Sequence, residues 1–193
     1  MAGGEGRRMG GADKALLRLA GVSLVERACA ALAPQVSGIA VSYNGDPAAL
    51  PQLGHPVIAD PFPGGRREGP LAGILAGLDL AERRGAAWLA SVPVDAPLLP
   101  GGWVAALAAL GRGGVPVMAR SRDGRVHPVV ALWPLSCRAG LAERFAAGER
   151  SIRAAAGSLG AVVATLEAGE DAFLNVNTPA DLARAEEILR SRG

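Results

Sequence analysis

Short apolar runs and amphipathic stretches alternate along almost the whole chain. After Lys14, the segment ALLRLAGVSLVERACAALAPQ holds a short apolar stretch, a turn near Gly21, and an amphipathic run. In that run Leu24, Ala28 and Leu32 recur at helical spacing and Pro34 closes it, which predicts a helix. GIAVSYNGD (38–46) reads as a buried strand broken by an Asn-Gly turn, and HPVIAD (55–60) as a second short strand ending on Asp60. PFPGGRREGP (61–70) has the composition of a loop, and LAGILAGLDLAERRG (71–85) predicts a helix with small residues on one face.

AAWLASVPVD (86–95) reads as another buried strand, ending on Asp95, and WVAALAALGRGG (103–114) as a helix stopped by glycine. VPVMARSRDGRVHPVVAL (115–132) has the form of two strands around an Asp-Gly turn. Residues 136–158 predict helix interrupted near Gly148, AVVATL (161–166) a strand, and TPADLARAEEILRSR (178–192) a final amphipathic helix. Thr178 is placed to cap that helix, with Pro179 at its first position and Asp181 completing a short capping box. Strands alternating with helices predict an α/β fold, a mainly parallel sheet with helices on both faces. No internal repeat and no long linker divides the chain, so residues 1–193 are expected to form one domain.

Composition narrows the class. Half the residues are hydrophobic and 20% are charged, which is a globular balance. Aromatics at 4% and a net charge of +2 argue against a nucleic-acid binder or a membrane-surface binder. The two cysteines, Cys29 and Cys137, do not imply a disulfide framework, and His55 and His127 stand too far apart for a zinc site of ordinary spacing. No apolar run reaches the ~20 residues of a membrane span, and no secretory signal is visible, so a cytoplasmic location is expected.

The chemistry concentrates at a few points. The chain opens MAGGEGRRMGGADK, with five glycines in fourteen residues, and Lys14 is the only lysine among 20 cationic residues. The run breaks both common phosphate motifs: Ala15 follows the lysine where a Walker loop needs Ser or Thr, and Met9 replaces the third glycine of a dinucleotide fingerprint. On residues alone it is either a solvated arm or a loop whose amides, with Arg8 and Lys14, hold an anion. Asp60 and Asp95 each follow a short apolar run, where ligands bind in open α/β sheets. Such a carboxylate either ligates a hard cation or caps the next turn.

The ordered set of segments goes further. AGG at Ala2–Gly4, RMGG-x-DK through Lys14, GPLAGILAGL at 69–78, PVDAPLLP at 93–100, HPVVAL at 127–132, AGERSIR at 147–153 and NVNTPADLA at 175–183 resemble, in order, the molybdenum cofactor guanylyltransferases. The resemblance implies a Rossmann-like nucleotidyltransferase fold, three layers α/β/α, and transfer of GMP from Mg-GTP to the phosphate of molybdopterin. It implies Ala2, Gly3, Gly4, Ser42, Asp60 and the Gly69-Pro70-Leu71 turn around the nucleotide, and Arg8 and Lys14 on its phosphates. By the same resemblance Asp95 binds the nucleotide and the Mg²⁺ cofactor, while Arg150, Asn175 and Asn177 face the pterin. The N-terminal half would serve the nucleotide and the C-terminal half the pterin. Partners would be GTP, molybdopterin or Mo-molybdopterin, and other proteins of cofactor assembly or delivery. Nucleic acid and membrane are not among them.

Two departures stand out. The family has a buried strand ahead of the AGG loop, where this chain has only Met1, so a first strand encoded upstream is expected. Ser42 stands where many members have asparagine, with Asn44 close by. The rival readings are a CTP-dependent cytidylyltransferase acting on the same pterin, and a nucleotide-binding regulatory domain without turnover. Ala-Gly-Gly, where cytidylyltransferases usually read Ala-Ala-Gly, favours GTP.

Overall fold

The computed structural model describes Met1 and residues 5–6, 12–60 and 69–192. Two short antiparallel ladders open the chain, β1 (Glu5–Gly6) with β2 (Ala12–Asp13) and β3 (Arg18–Leu19) with β4 (Val22–Ser23). Gly21, at φ 80°, turns the second of them. Helix α1 (Leu24–Leu32) begins in a full capping box, Ser23 and Glu26 each satisfying the other's backbone N–H. The predicted strands at 38–46 and 55–60 shrink to β5 (Val41–Ser42) and β6 (Val57–Ile58), which pair in parallel.

Helix α2 (Pro70–Arg83) follows, then β7 (Trp88–Ser91), α3 (Trp103–Ala108), β8 (Val117–Arg120) and β9 (Val126–Pro134). Helices α4 (Arg138–Ala146) and α5 (Ile152–Ser158) bracket the break predicted near Gly148, and β10 (Val162–Thr165) and α6 (Pro179–Arg192) complete the chain. Thr178 and Asp181 cap α6 as the sequence predicts: the Asp181 amide donates to Thr178 Oγ1 at 3.2 Å, and the Thr178 amide to Asp181 Oδ2 at 2.8 Å.

The main sheet has the order β10-β8-β9-β7. Strands β7, β8 and β10 run one way and β9 runs against them, so the sheet is mixed: the β10–β8 ladder is parallel and the two ladders of β9 are antiparallel. β8 and β9 are the predicted hairpin around Asp123-Gly124, with one irregularity: Met118 pairs with Ala131, but Ala119 pairs with His127. The skipped residues include Pro128, which has no N–H for the ladder and is tolerated where a strand bulges. Two bonds pin the bulge from the neighbouring strand: Trp133 Nε1–H donates to Ser91 Oγ at 2.9 Å, and Ser91 Oγ–H donates to the Val129 carbonyl at 2.7 Å.

Alternation along the strands makes the two cores. Met118, Ala131 and Trp133 pack with Leu71, Ile74 and Leu78 of α2 and with residues of α4 and α5. Val117, Ala119, Val130, Leu132 and Ala164 face the other way, onto Trp103 and Leu107 of α3 and onto Phe173. This is the expected three-layer arrangement. A third cluster joins α1, β5 and α6 through Leu24, Val25, Val41 and Ala185.

The run expected to reach Asp95 as strand ends at Ser91, with Pro93 soon after. Past that point Met1 takes up the backbone. Its nitrogen donates to the Val92 carbonyl at 2.8 Å, and its carbonyl accepts from the Val94 amide at 3.2 Å. Beside Met1 runs a slot of about 340 Å³, lined by residues 36–40 on one wall, 88–92 on the other, and α2 beneath. Among the described residues no helix is long and apolar enough to cross a membrane.

Candidate active site

Three segments far apart in sequence meet at Lys14. The first is a single turn of 3₁₀ helix, Lys14–Leu16, capped by Asp13, whose Oδ1 accepts the Ala15 amide at 2.9 Å. The other Asp13 oxygen accepts the Tyr43 hydroxyl. Ala15 is fully buried, so the turn is clamped on both sides of the lysine. The second segment is the loop after β7, which carries Asp95. The third is 175–177, anchored where the Val176 amide donates to the Asp95 carbonyl at 2.8 Å. The Lys14 ammonium donates to Asp95 Oδ2 at 3.1 Å and to Asn177 Oδ1. The side chains of Lys14 and Asp95 are 16% and 22% exposed, close enough to solvent for a ligand to reach them.

Of the residues expected around a nucleotide, the structure brings Ser42 and Asp60 close to each other beside Gly73. Ser42 is buried at the end of β5, and Gly73 of α2 leaves it room: a Cβ at that glycine would stand 2.7 Å from Ser42 Oγ and 3.6 Å from Asp60 Oδ1. Asp60 and Asn44 hold each other, the Asn44 amide donating to Asp60 Oδ2 at 2.7 Å and the Asp60 backbone N–H to Asn44 Oδ1 at 2.9 Å. Gly69, at φ 83°, takes a backbone conformation that favours glycine, and Pro70 opens α2. Leu71 is fully buried in the core below, so only its backbone is left to meet a ligand. Ala2, Gly3, Gly4 and Arg8 lie outside the described residues.

Asn177 also edges a polar cleft of about 340 Å³, lined by the β8–β9 turn and the chain before and within α6, Asn175 included. Its wall holds residues that the sequence reading did not select: Ser121, Asp123, Phe173 and Arg184, with His127 known only as part of a motif. No linear spacing joins residues 121–127 to 171–184. The one hint was a histidine beside an Asp-Gly turn in a chain with two histidines. His127 stacks on Phe173, ring centroids 4.0 Å apart, and its Nε2 lies 2.9 Å from Ser121 Oγ. Burial, with Arg125 adding to it, holds His127 below the usual imidazole range against an opposing pull from Asp123. Arg184 is paired with Asp171 at 2.7 Å.

Arg150 does not line this cleft. It sits between α4 and α5, its guanidinium 3.9 Å from the Phe145 ring centroid and donating to the Phe145 carbonyl at 2.8 Å. The structure therefore brings Lys14, Asp95 and Asn177 together and leaves Arg150 apart.

Chemically the junction offers a cation, a carboxylate and an amide at the edge of one cleft. Among the described residues no group of three or more His, Cys, Asp or Glu could hold a metal. One carboxylate suits a Mg²⁺ ion whose other ligands are phosphate oxygens and water.

The MobA-like NTP transferase domain family matches residues 1–162. The chain is 47% identical over 190 residues to a molybdenum cofactor guanylyltransferase of Cereibacter sphaeroides, covering 98% of this chain and 95% of that one. A protein of the same description from Rhodopseudomonas palustris (strain BisB5) is 44% identical, covering 97% of this chain and 91% of that one. Among solved structures, molybdopterin-guanine dinucleotide biosynthesis protein A from Archaeoglobus fulgidus superposes with a TM-score of 0.77 at 24% identity, covering 98% and 96% of the two chains. The 2-C-methyl-D-erythritol 4-phosphate cytidylyltransferase of Thermus thermophilus superposes at 0.68 with 21% identity, covering 92% and 94%.

Proposed function

The chain belongs to the MobA-like NTP transferase family, enzymes that transfer nucleotidyl groups, and from that premise we propose that it makes a guanine dinucleotide cofactor. GMP passes from GTP to the terminal phosphate of molybdopterin or Mo-molybdopterin, and pyrophosphate leaves. The observation that carries the reading is the Lys14–Asp95–Asn177 junction, whose Asn177 also lines the polar cleft. Two substrates that react through phosphates need such a meeting point.

The side chains divide the work. Attack on the α-phosphorus builds negative charge on its non-bridging oxygens and on the leaving pyrophosphate. The Lys14 ammonium, already held in place by Asp95 and Asn177, meets that charge without reorganising, which is where electrostatic stabilisation is most effective. Arg8 and the amides of Ala2–Gly4 would act on the same charge. Asp95 would hold Mg²⁺, which, when bound, neutralises phosphate charge and orients the chain of phosphates. Asp60, fixed by Asn44, and Ser42 would meet the nucleoside. The attacking phosphate is ionised at neutral pH, so no strong general base is needed.

Pyrophosphate release with Mg²⁺ and molybdopterin, GTP compared with CTP, tests this directly. GTP-dependent release is expected, with Lys14→Ala lowering kcat by ~10²–10³-fold. Release with CTP alone would make the enzyme a cytidylyltransferase. No release with either nucleotide from folded protein would leave only the binding-domain reading. The enzyme is expected to work in the cytoplasm beside other proteins of cofactor assembly.

A further inference from the structure

The polar cleft beyond Asn177 contains a hydrogen-bond chain that fixes the state of one ring. Ser121 Oγ has a single proton, and its shortest contact, 2.5 Å to Asp123 Oδ1, takes it, because a carboxylate accepts and does not donate. The contact of 2.9 Å between His127 Nε2 and the same Ser121 oxygen is then donated by the imidazole, so neutral His127 carries its proton on Nε2. Nδ1 is left as an acceptor on a ring that lines the cleft and stacks on Phe173. The Arg125 backbone N–H donates to the same Asp123 oxygen at 3.1 Å, which fixes that end of the chain.

We propose that His127, backed by Phe173 and set in its tautomer by Ser121 and Asp123, recognises the pterin ring of the acceptor substrate. The proposal rests on the function proposed above and adds what that function leaves open, the groups that read the acceptor. The cleft holds about 340 Å³, room for a fused heterocycle, and its lining is polar, which suits a ring edged with N–H and C=O groups better than an apolar one. A pterin presents ring and amino N–H donors, and an imidazole Nδ1 lone pair on a flat aromatic platform is a match for one of them. The cleft shares Asn177 with the Lys14 junction and does not include Ser42, Asp60 or Gly69. A ring seated here would leave its phosphate arm to reach Lys14 past Asn177.

The experiment uses the full chain and pterin-6-carboxylate, a fluorescent pterin without dithiolene or phosphate, titrated with and without saturating GTP and Mg²⁺. Binding is expected in both cases, because none of the described residues expected around the nucleotide lines this cleft. His127→Ala should weaken pterin binding about tenfold, the effect of one lost hydrogen bond, and leave GTP binding unchanged. His127→Asn, which can place its side-chain oxygen near the position of Nδ1, should recover most of the loss. Ser121→Ala removes one hydroxyl at the turn and serves should the histidine variants misfold; it should weaken the pterin and spare the nucleotide. With molybdopterin as acceptor, His127→Ala should raise the acceptor KM and leave the GTP KM alone. Displacement of the probe by GTP, no binding to the native chain, or equal binding by native and His127→Ala protein would each overturn the proposal. A histidine-dependent pterin site in a protein that releases no pyrophosphate would uphold it and refute the transfer reaction instead.

Discussion

Replacing Ser91 by alanine should destabilise the domain far more than the loss of one hydroxyl suggests. Ser91 is 5% exposed and Trp133 not exposed at all. The hydroxyl accepts from Trp133 Nε1 at 2.9 Å and donates to the Val129 carbonyl at 2.7 Å. Alanine leaves a buried indole N–H and a partly buried carbonyl unpartnered together. Each such group costs ~1–3 kcal/mol, so the sum is about 3 kcal/mol. For a chain of this size that is a fall in Tm of about 6–12 °C. Urea unfolding followed by far-ultraviolet circular dichroism would measure it for native, Ser91→Ala, Trp133→Phe and the double variant. In the Trp133→Phe background the serine change should cost about 1 kcal/mol less, because the indole donor has already gone. A loss under ~0.5 kcal/mol, or strict additivity, would refute the account. The consequence reaches the site, since the Val129 carbonyl belongs to the bulge between His127 and Ala131. Ser91→Ala should therefore also weaken acceptor binding.

Two further expectations concern titratable groups. Asp181 accepts the Asn177 and Thr178 amides, and those bonds, the Asn177 amide foremost, hold its carboxyl below the usual range. A depressed acid stabilises the fold above its unfolded pKa and loses that contribution as pH falls through the folded value. The stability gap between native protein and Asp181→Asn should thus close on acidification below pH ~4, and a gap that widens there would contradict the reading. Burial pushes the Cys137 thiol up to about 11 and raises that of Cys29 as well. Both should react with a thiol reagent at pH 8 far more slowly in native protein than in urea, and equal rates would show that the burial is wrong.

Much of the fold was legible because it is written locally. The α6 start is an example: Thr178, Pro179 and Asp181 are close neighbours, and the bonds they make are the ones their types prefer. The β8–β9 hairpin was legible from Asp123-Gly124 for the same reason. The strands around Val41 and Val57 were overcalled, since apolar runs announce burial and only a partner strand turns burial into a ladder. The end of β7 at Ser91 shows the same limit: the apolar run continues to Val94, but the pairing with β9 does not.

The site divides along that line. Asp60 and Asp95 could be named because each ends a predicted strand, Lys14 because it is the only lysine and ends a glycine run, and Asn177 through the family resemblance of its motif. Composition, periodicity and motif order likewise determined the α/β class and the family. What only the tertiary structure decided is which of these residues meet. Lys14 and Asn177 are 163 positions apart, and contact between them depends on the Val176–Asp95 backbone bond and the clamped Asp13 turn. The cleft around His127 and Phe173 joins two segments that no periodicity links, and Arg150, named with Asn177 by motif, stays beside Phe145. The physical reason is range. Helix caps and turns are short-range hydrogen-bond choices readable in a few residues, whereas a site made of distant loops exists only once the fold has brought them together.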